Sequence, residues 1–237
     1  MSEKDWVGEL EEYLRDRFAL LCAALGQAVP SSGMRINPPL GIEESKYFLL
    51  GLEAGLFLLD EEGRVHGELL PPSISGTTDQ KASRIFRREP PLGLFREGVC
   101  LLSTMSLLIL KRGWLKSHIV MAPDFQDQRG VPHGMDILVQ SPAGQILICV
   151  EVKRTVAELG KMMTDLRTCC RRGAHAKDDC GFPQNHPKFE FCASYQPTYF
   201  WGVAPEVDVC FRMKYNNDSI ELEQLASLPP RSLIESN

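Results

Sequence analysis

Apolar residues recur along this chain with two periods, and the change between them marks the expected elements. Trp6, Leu10, Leu14, Leu21 and Leu25 fall near one face at helical spacing, so a helix is expected over residues 3–27. VPSSGMRINPPLG ends it with Pro30, Gly33, Pro38 and Pro39. IEESKYFLLGLEAGLFLL reads two ways, as a helix interrupted by Gly51 and Gly55 or as two strands. LFLLDEEGRVHGELL has the form of a hairpin turning at Glu61, Glu62 and Gly63. PPSISGTTDQ is loop-like, and KASRIFRREPP reads as a short helix ended by Pro90.

Beyond residue 92 the apolar positions become denser. LFREGVCLLSTMSLLILKRGW reads as an apolar helix. Its longest apolar run, GVCLLSTMSLLIL, is too short for a membrane span and carries Ser103, Thr104 and Ser106, which fits a buried core helix. HIVMAP reads as a strand. GMDILVQ and QILICVEVKR read as two more, joined by a turn over residues 141–144. Val156, Leu159, Met163, Leu166 and Cys170 alternate at spacings of three and four, a core-packing stripe on a helix within TVAELGKMMTDLRTCCRRGAHA. TYFWGVAP follows as a strand, and VDVCFRMKY adds another. Tyr199, Phe200 and Trp201 could stack on bases, but core packing accounts for them better. There is no internal repeat and no low-complexity tract.

The central hairpin carries candidate chemistry. Side chains alternate faces along a strand. Ile137, Val139, Ile146, Ile148, Val150 and Val152 share one apolar face, while Asp136, Glu151 and Lys153 gather at one end of the other. With Gln140 facing Gln145, Asp136 faces Cys149 and lies diagonal to Glu151, at a Cβ separation of roughly 7–8 Å. Carboxylates at that reach can close on one hard divalent cation such as Mg²⁺. Such an ion eases deprotonation of a water, and a lysine beside it could orient the attack and offset phosphate charge. Glu-x-Lys alone is a weak signal, since exposed strands carry such pairs for solubility. Here it ends a strongly apolar strand, where charged residues need a reason to be buried.

An Asp on one strand followed by Glu-x-Lys on the next resembles the PD-(D/E)xK nuclease superfamily, the restriction-endonuclease-like fold. The resemblance covers about residues 95–215 and leaves the front of the chain unexplained. It implies an α/β core of helix, three strands, helix and strand, with a central mixed sheet flanked by helices. It also implies a division into a mostly helical N-terminal elaboration over residues 1–92 and a nuclease-like domain over residues 93–237. Carried over by position, Asp136 and Glu151 match the metal-binding acids and Lys153 the catalytic lysine. Glu97, near the start of the first core helix, is a weaker match to an additional acid, and its ordinary role would be to complement the helix dipole. Met135 stands where the family pattern has proline, whereas a literal Pro-Asp pair occurs at Pro123 and Asp124. Cross-strand geometry favours Asp136, with Asp124 the alternative and Asp127 behind it. The activity implied is Mg²⁺-dependent phosphodiester hydrolysis, with Mn²⁺ able to substitute and DNA the first expected substrate. A binding or assembly module that keeps the fold without catalysis is the alternative.

Charge adds detail. The 237 residues carry a net charge of −5, which does not advertise a nucleic-acid binder. Basic residues nevertheless concentrate between Lys153 and Lys177, including Arg154, Lys161, Arg167, Arg171 and Arg172, and again at Lys81, Arg84, Arg87 and Arg88. Arg154, Arg171 and Arg172 are candidate phosphate contacts, against the alternative of a solvated helix face with a basic C-terminus. His133, in the turn before Asp136, would stand at the mouth of the site or cap the turn. The front segment could contact substrate, form a homodimer, meet a protein partner or serve as scaffold.

The eight cysteines show no disulfide-framework spacing, and the acidic, amphipathic opening is no secretory signal, so reduced thiols in a cytoplasmic protein are expected. Cys169, Cys170, His175, Cys180 and His186 cluster in sequence and could bind zinc, but their spacing matches no common ligand pattern, and core and loop positions are the ordinary reading.

Overall fold

The computed structural model describes residues 4–70, 84–87, 92–121, 135–216 and 219–234. The chain divides into two compact units, Met1–Lys111 and Arg112–Asn237.

The first unit opens with α1 (Trp6–Ala24), whose start is capped by Asp5: its carboxylate accepts the Gly8 N–H at 3.0 Å. Leu10, Leu14 and Leu21 of the expected stripe are buried together with Phe18 and Cys22, whereas Trp6 is only half-buried and Leu25, also half-buried, caps the helix end. The ambiguous segment resolves into α2 (Ile42–Glu53), which the chain leaves by way of Gly55 at φ +64°. The hairpin then forms as β1 (Leu58–Leu59) and β2 (Val65–His66), pairing Leu58 with His66 and Leu59 with Val65. The short helix expected over KASRIFRREPP is not what the described part adopts. Phe86–Arg87 is β3, antiparallel to β4 (Gly93–Leu94). Burial of Phe86 against Phe18 of α1, ring centroids 5.7 Å apart, outweighs local helix preference there.

The apolar helix is α3 (Arg96–Leu110), and it packs on α2 inside this first unit. The division therefore falls after it, at Lys111, rather than before it at residue 93. Two local features explain the attachment. An added Cβ on Gly51 would meet Ser106 Oγ at 2.1 Å, so α2 and α3 approach closely only because Gly51 has no side chain. Arg96 then makes two 2.8 Å hydrogen bonds to the Glu44 carboxylate and also donates to Pro38 O and Pro39 O.

The second unit is α/β. Among the described residues, β5 (Ile119–Met121), β6 (Ile137–Gln140), β7 (Ile146–Val152), β8 (Tyr199–Ala204), β9 (Val207–Asn216) and β10 (Ser219–Leu225) form one mixed sheet in spatial order β10-β9-β8-β7-β6-β5. β7 and β8 are parallel and every other neighbouring pair is antiparallel. The parallel pair requires a crossover, supplied by α4 (Val156–Arg172) and α5 (His186–Tyr195). A short helix, α6 (Arg231–Ile234), closes the described chain. Every residue of β7 is buried, as expected for a central strand. Leu138, Cys149 and Phe200 meet Leu159 and Leu166 of α4 and Phe189 of α5 in one core cluster.

The β6–β7 register differs from the simple hairpin expectation. Ile137 pairs with Val150 and Leu138 with Cys149, with a shift between Val139 and Gln140. The cause lies at the turn. Ser141 N–H donates to Gln145 O at 2.8 Å and Gln145 N–H to Ser141 Oγ at 3.2 Å, so Gln145 belongs to the turn and a bulge absorbs the difference. The net offset is two residues, which preserves the faces, and the ladder ends at Ile137 opposite Val150, leaving Asp136 just beyond it.

Candidate active site

Asp136 sits one step before β6, off the regular ladder. Its N–H donates to Val150 O at 3.1 Å, and its carboxylate accepts the Val152 N–H at 2.7 Å. The side chain is thereby aimed at the backbone flanking Glu151, and it is only 4% exposed.

Glu151 lies near the C-terminal end of β7, 2% exposed, beside Gly202 of β8. An added Cβ on Gly202 would lie 2.7 Å from Leu159 Cδ1, so α4 lies tightly over the sheet at this point. Lys153 donates to Glu151 Oε1 and, at 3.0 Å, to Val152 O. Lys188, on α5, brings a second ammonium to the same oxygen at 3.3 Å. Glu151 Oε2 is buried with no hydrogen-bond partner among the described residues. A buried carboxylate oxygen in that state carries an uncompensated desolvation cost.

Lys153 thus meets Glu151, while the Asp136 carboxylate is held on the N–H of Val152, the residue between them. Lys188 was not anticipated. It lies 37 residues along the chain from Glu151, on a helix whose apolar residues form no clean stripe. Pro187 in the first turn of α5 was the available signal for that helix.

The other candidates are placed differently. Glu97 is half-buried in the first turn of α3, in the first unit. Arg154 follows Lys153 and is exposed, with Nε 2.6 Å from Glu158 Oε1. Arg171 and Arg172 end α4, about 22 Å along its axis from Val156 at 1.5 Å per residue, and so lie away from the acidic pair. Arg172 donates instead to Asp179 O. Much of the basic stripe is engaged internally: Lys161 pairs with Asp165 at 2.8 Å, and Arg167 lies over the Phe211 ring and donates to Gln224. His133, Asp124 and Asp127 lie outside the described residues.

All eight cysteines are buried and unpaired by disulfides. Among the described residues Cys169, His175, Cys180 and His186 form a group of side chains that could hold a metal ion. Burial, and then the neighbouring Cys180 thiol, push Cys169 up to about 12. At Cys180, burial is outweighed by hydrogen bonds with His175, the Phe182 N–H and Cys169, which hold its thiol below the ordinary cysteine value. Thiolates are soft donors and imidazoles borderline ones, unlike the hard carboxylates of Asp136 and Glu151.

No protein-family model, curated protein or solved structure matches the chain. No helix among the described residues is long and apolar enough to cross a membrane.

Proposed function

We propose that this chain is a metal-dependent phosphodiesterase with a restriction-endonuclease-like core, acting on nucleic acid, with DNA as its first substrate. The observation that carries the reading is the burial of Asp136 and Glu151 at the end of β7, the first held on the Val152 N–H and the second on Lys153. Glu151 Oε2, buried without a hydrogen-bond partner among the described residues, has a lone pair to give a cation. Oxygen donors of this kind suit Mg²⁺ or Mn²⁺, and Asp136 and Glu151 would hold it. When bound, the ion would lower the pKa of a water and neutralise charge on the scissile phosphate.

The protein's own contributions are positional. The Val152 N–H fixes the Asp136 carboxylate, so little reorganisation is needed on cation entry. Lys153 and Lys188 hold positive charge against Glu151, and Lys153, the more exposed ammonium, would be the one to turn to a phosphate oxygen. The site lies at the carboxyl end of β7, beside the crossover to β8, where α/β sheets commonly bind ligands.

The two ammoniums on Glu151 Oε1 favour a second reading, in which the same residues form a buried ion-pair network in a nucleic-acid-binding module without catalysis. One experiment separates the two. Labelled single-stranded DNA, duplex DNA and RNA are incubated with the full chain and Mg²⁺ or Mn²⁺, alongside Asp136→Asn, Glu151→Gln and Lys153→Ala. The nuclease reading expects cleavage that falls by roughly 10²-fold or more in each variant with the fold kept. Salt-dependent binding with no cleavage under either ion would establish the second reading instead.

A further inference from the structure

Between α4 and α5 the chain runs through residues 173–185, of which only Gly173 and Cys180 are buried. A connection of that length with so little apolar burial needs another source of order. Four side chains converge on it. Cys169 comes from the last turns of α4, His175 and Cys180 from the connection itself, and His186 from the first residue of α5. One donor atom from each lies within 4.8 Å of every other. We propose that Cys169, His175, Cys180 and His186 hold a single structural Zn²⁺ ion.

The spacings from Cys169 match a tetrahedral ion. With Zn–S near 2.3 Å and Zn–N near 2.0–2.1 Å, tetrahedral angles place sulfur about 3.8 Å from sulfur and about 3.5 Å from nitrogen. Cys169 Sγ lies 3.6 Å from Cys180 Sγ, 3.4 Å from His175 Nε2 and 3.7 Å from His186 Nδ1. The sulfur–sulfur distance is far beyond the roughly 2.05 Å of a disulfide. Two thiolates and two imidazoles select a soft or borderline ion in tetrahedral geometry and reject Mg²⁺.

His175 follows the pattern of metal-bound histidines, in which the nitrogen facing away from the ion is held by a carbonyl or carboxylate. His175 Nδ1 is hydrogen-bonded to Gly173 O. His186 Nε2 lies 3.3 Å from Glu190 Oε1, an ion-pair separation without hydrogen-bond alignment. Cys180 Sγ accepts the Phe182 N–H at 3.4 Å. Cys169, Cys180 and His186 are all buried, which marks a closed structural centre rather than an open catalytic one. On binding, the two thiol protons leave to solvent and the paired thiolate charges neutralise the dication. The ion would fix the start of α5, two residues before the lysine that reaches Glu151.

The test uses the full chain, expressed with zinc in the medium and purified without chelator. Elemental analysis is expected to return one zinc per chain. Cobalt added to chelator-stripped protein is expected to give intense visible bands of a tetrahedral ion and a thiolate charge-transfer band. Cys180→Ser and His175→Ala are expected to lower the zinc content severalfold, while Glu151→Gln leaves it at one. The wild-type measurements stand even if a variant fails to fold. Absence of both zinc and the tetrahedral cobalt spectrum would overturn the proposal. So would full zinc retention in the Cys180 and His175 variants, or a Cys169–Cys180 disulfide in the purified chain. None of these results bears on phosphodiester cleavage at Asp136 and Glu151.

Discussion

Glu151 concentrates the chemistry of the second unit in one side chain. Two ammoniums meet one of its oxygens and the other has no partner among the described residues. A divalent cation entering there is repelled by both lysines, more strongly by the better buried one, because less solvent screens it. Lys188→Met is therefore expected to tighten Mn²⁺ binding by about tenfold, or about 1.4 kcal/mol. Isothermal titration calorimetry measures it, and an unchanged or weaker affinity would show that Lys188 does not oppose the cation. The split between what was readable and what was not follows from range. Asp136, Glu151 and Lys153 fall within one hairpin, where two-residue alternation and a turn place side chains relative to each other. Lys188 reaches Glu151 through a tertiary contact that no local period encodes. The zinc-competent residues were visible as a group, but their spacing had no precedent to match, and only the folded connection shows that their donor atoms converge.

At the scale of elements, close approach depends on missing side chains and on one buried ion pair. Gly202→Ala would press a methyl group against Leu159 Cδ1 and Val209 Cγ2, so overpacking is expected to cost about 1–3 kcal/mol, read from denaturant unfolding of the full chain. A stability equal to wild type would mean that α4 yields freely. In the first unit, Arg96→Met strands the buried Glu44 carboxylate and is expected to cost about 3–5 kcal/mol. Replacing Glu44 with Met as well should recover a large part of that loss, since the cost lies in the unpaired charge rather than in the missing attraction. Thermal unfolding of the single and double variants checks this. Elements with strong apolar periods, α1, α3, α4 and β6 to β9, were legible. β3 was not, because a two-residue strand has no period and its fate is set by where Phe86 packs. The hairpin faces were legible but the register was not, because the bulge depends on Ser141 closing the turn through its side chain.

For the molecule as a whole, the chain's division after Lys111 was not readable from composition, because α3 is as apolar as any core helix of the second unit would be. Charge at this scale is an acidic total of −5 with a basic stripe of which Lys161 and Arg167, among others, are engaged in internal contacts. The account rests on Asp136 and Glu151 jointly forming a hard-cation site. Its most direct test is Mn²⁺ binding to the full chain, followed by electron paramagnetic resonance as free Mn²⁺ signal disappears on titration. The prediction is saturable binding that is abolished in Asp136→Asn and in Glu151→Gln and kept in Lys153→Met; binding undiminished in both carboxylate variants would contradict it.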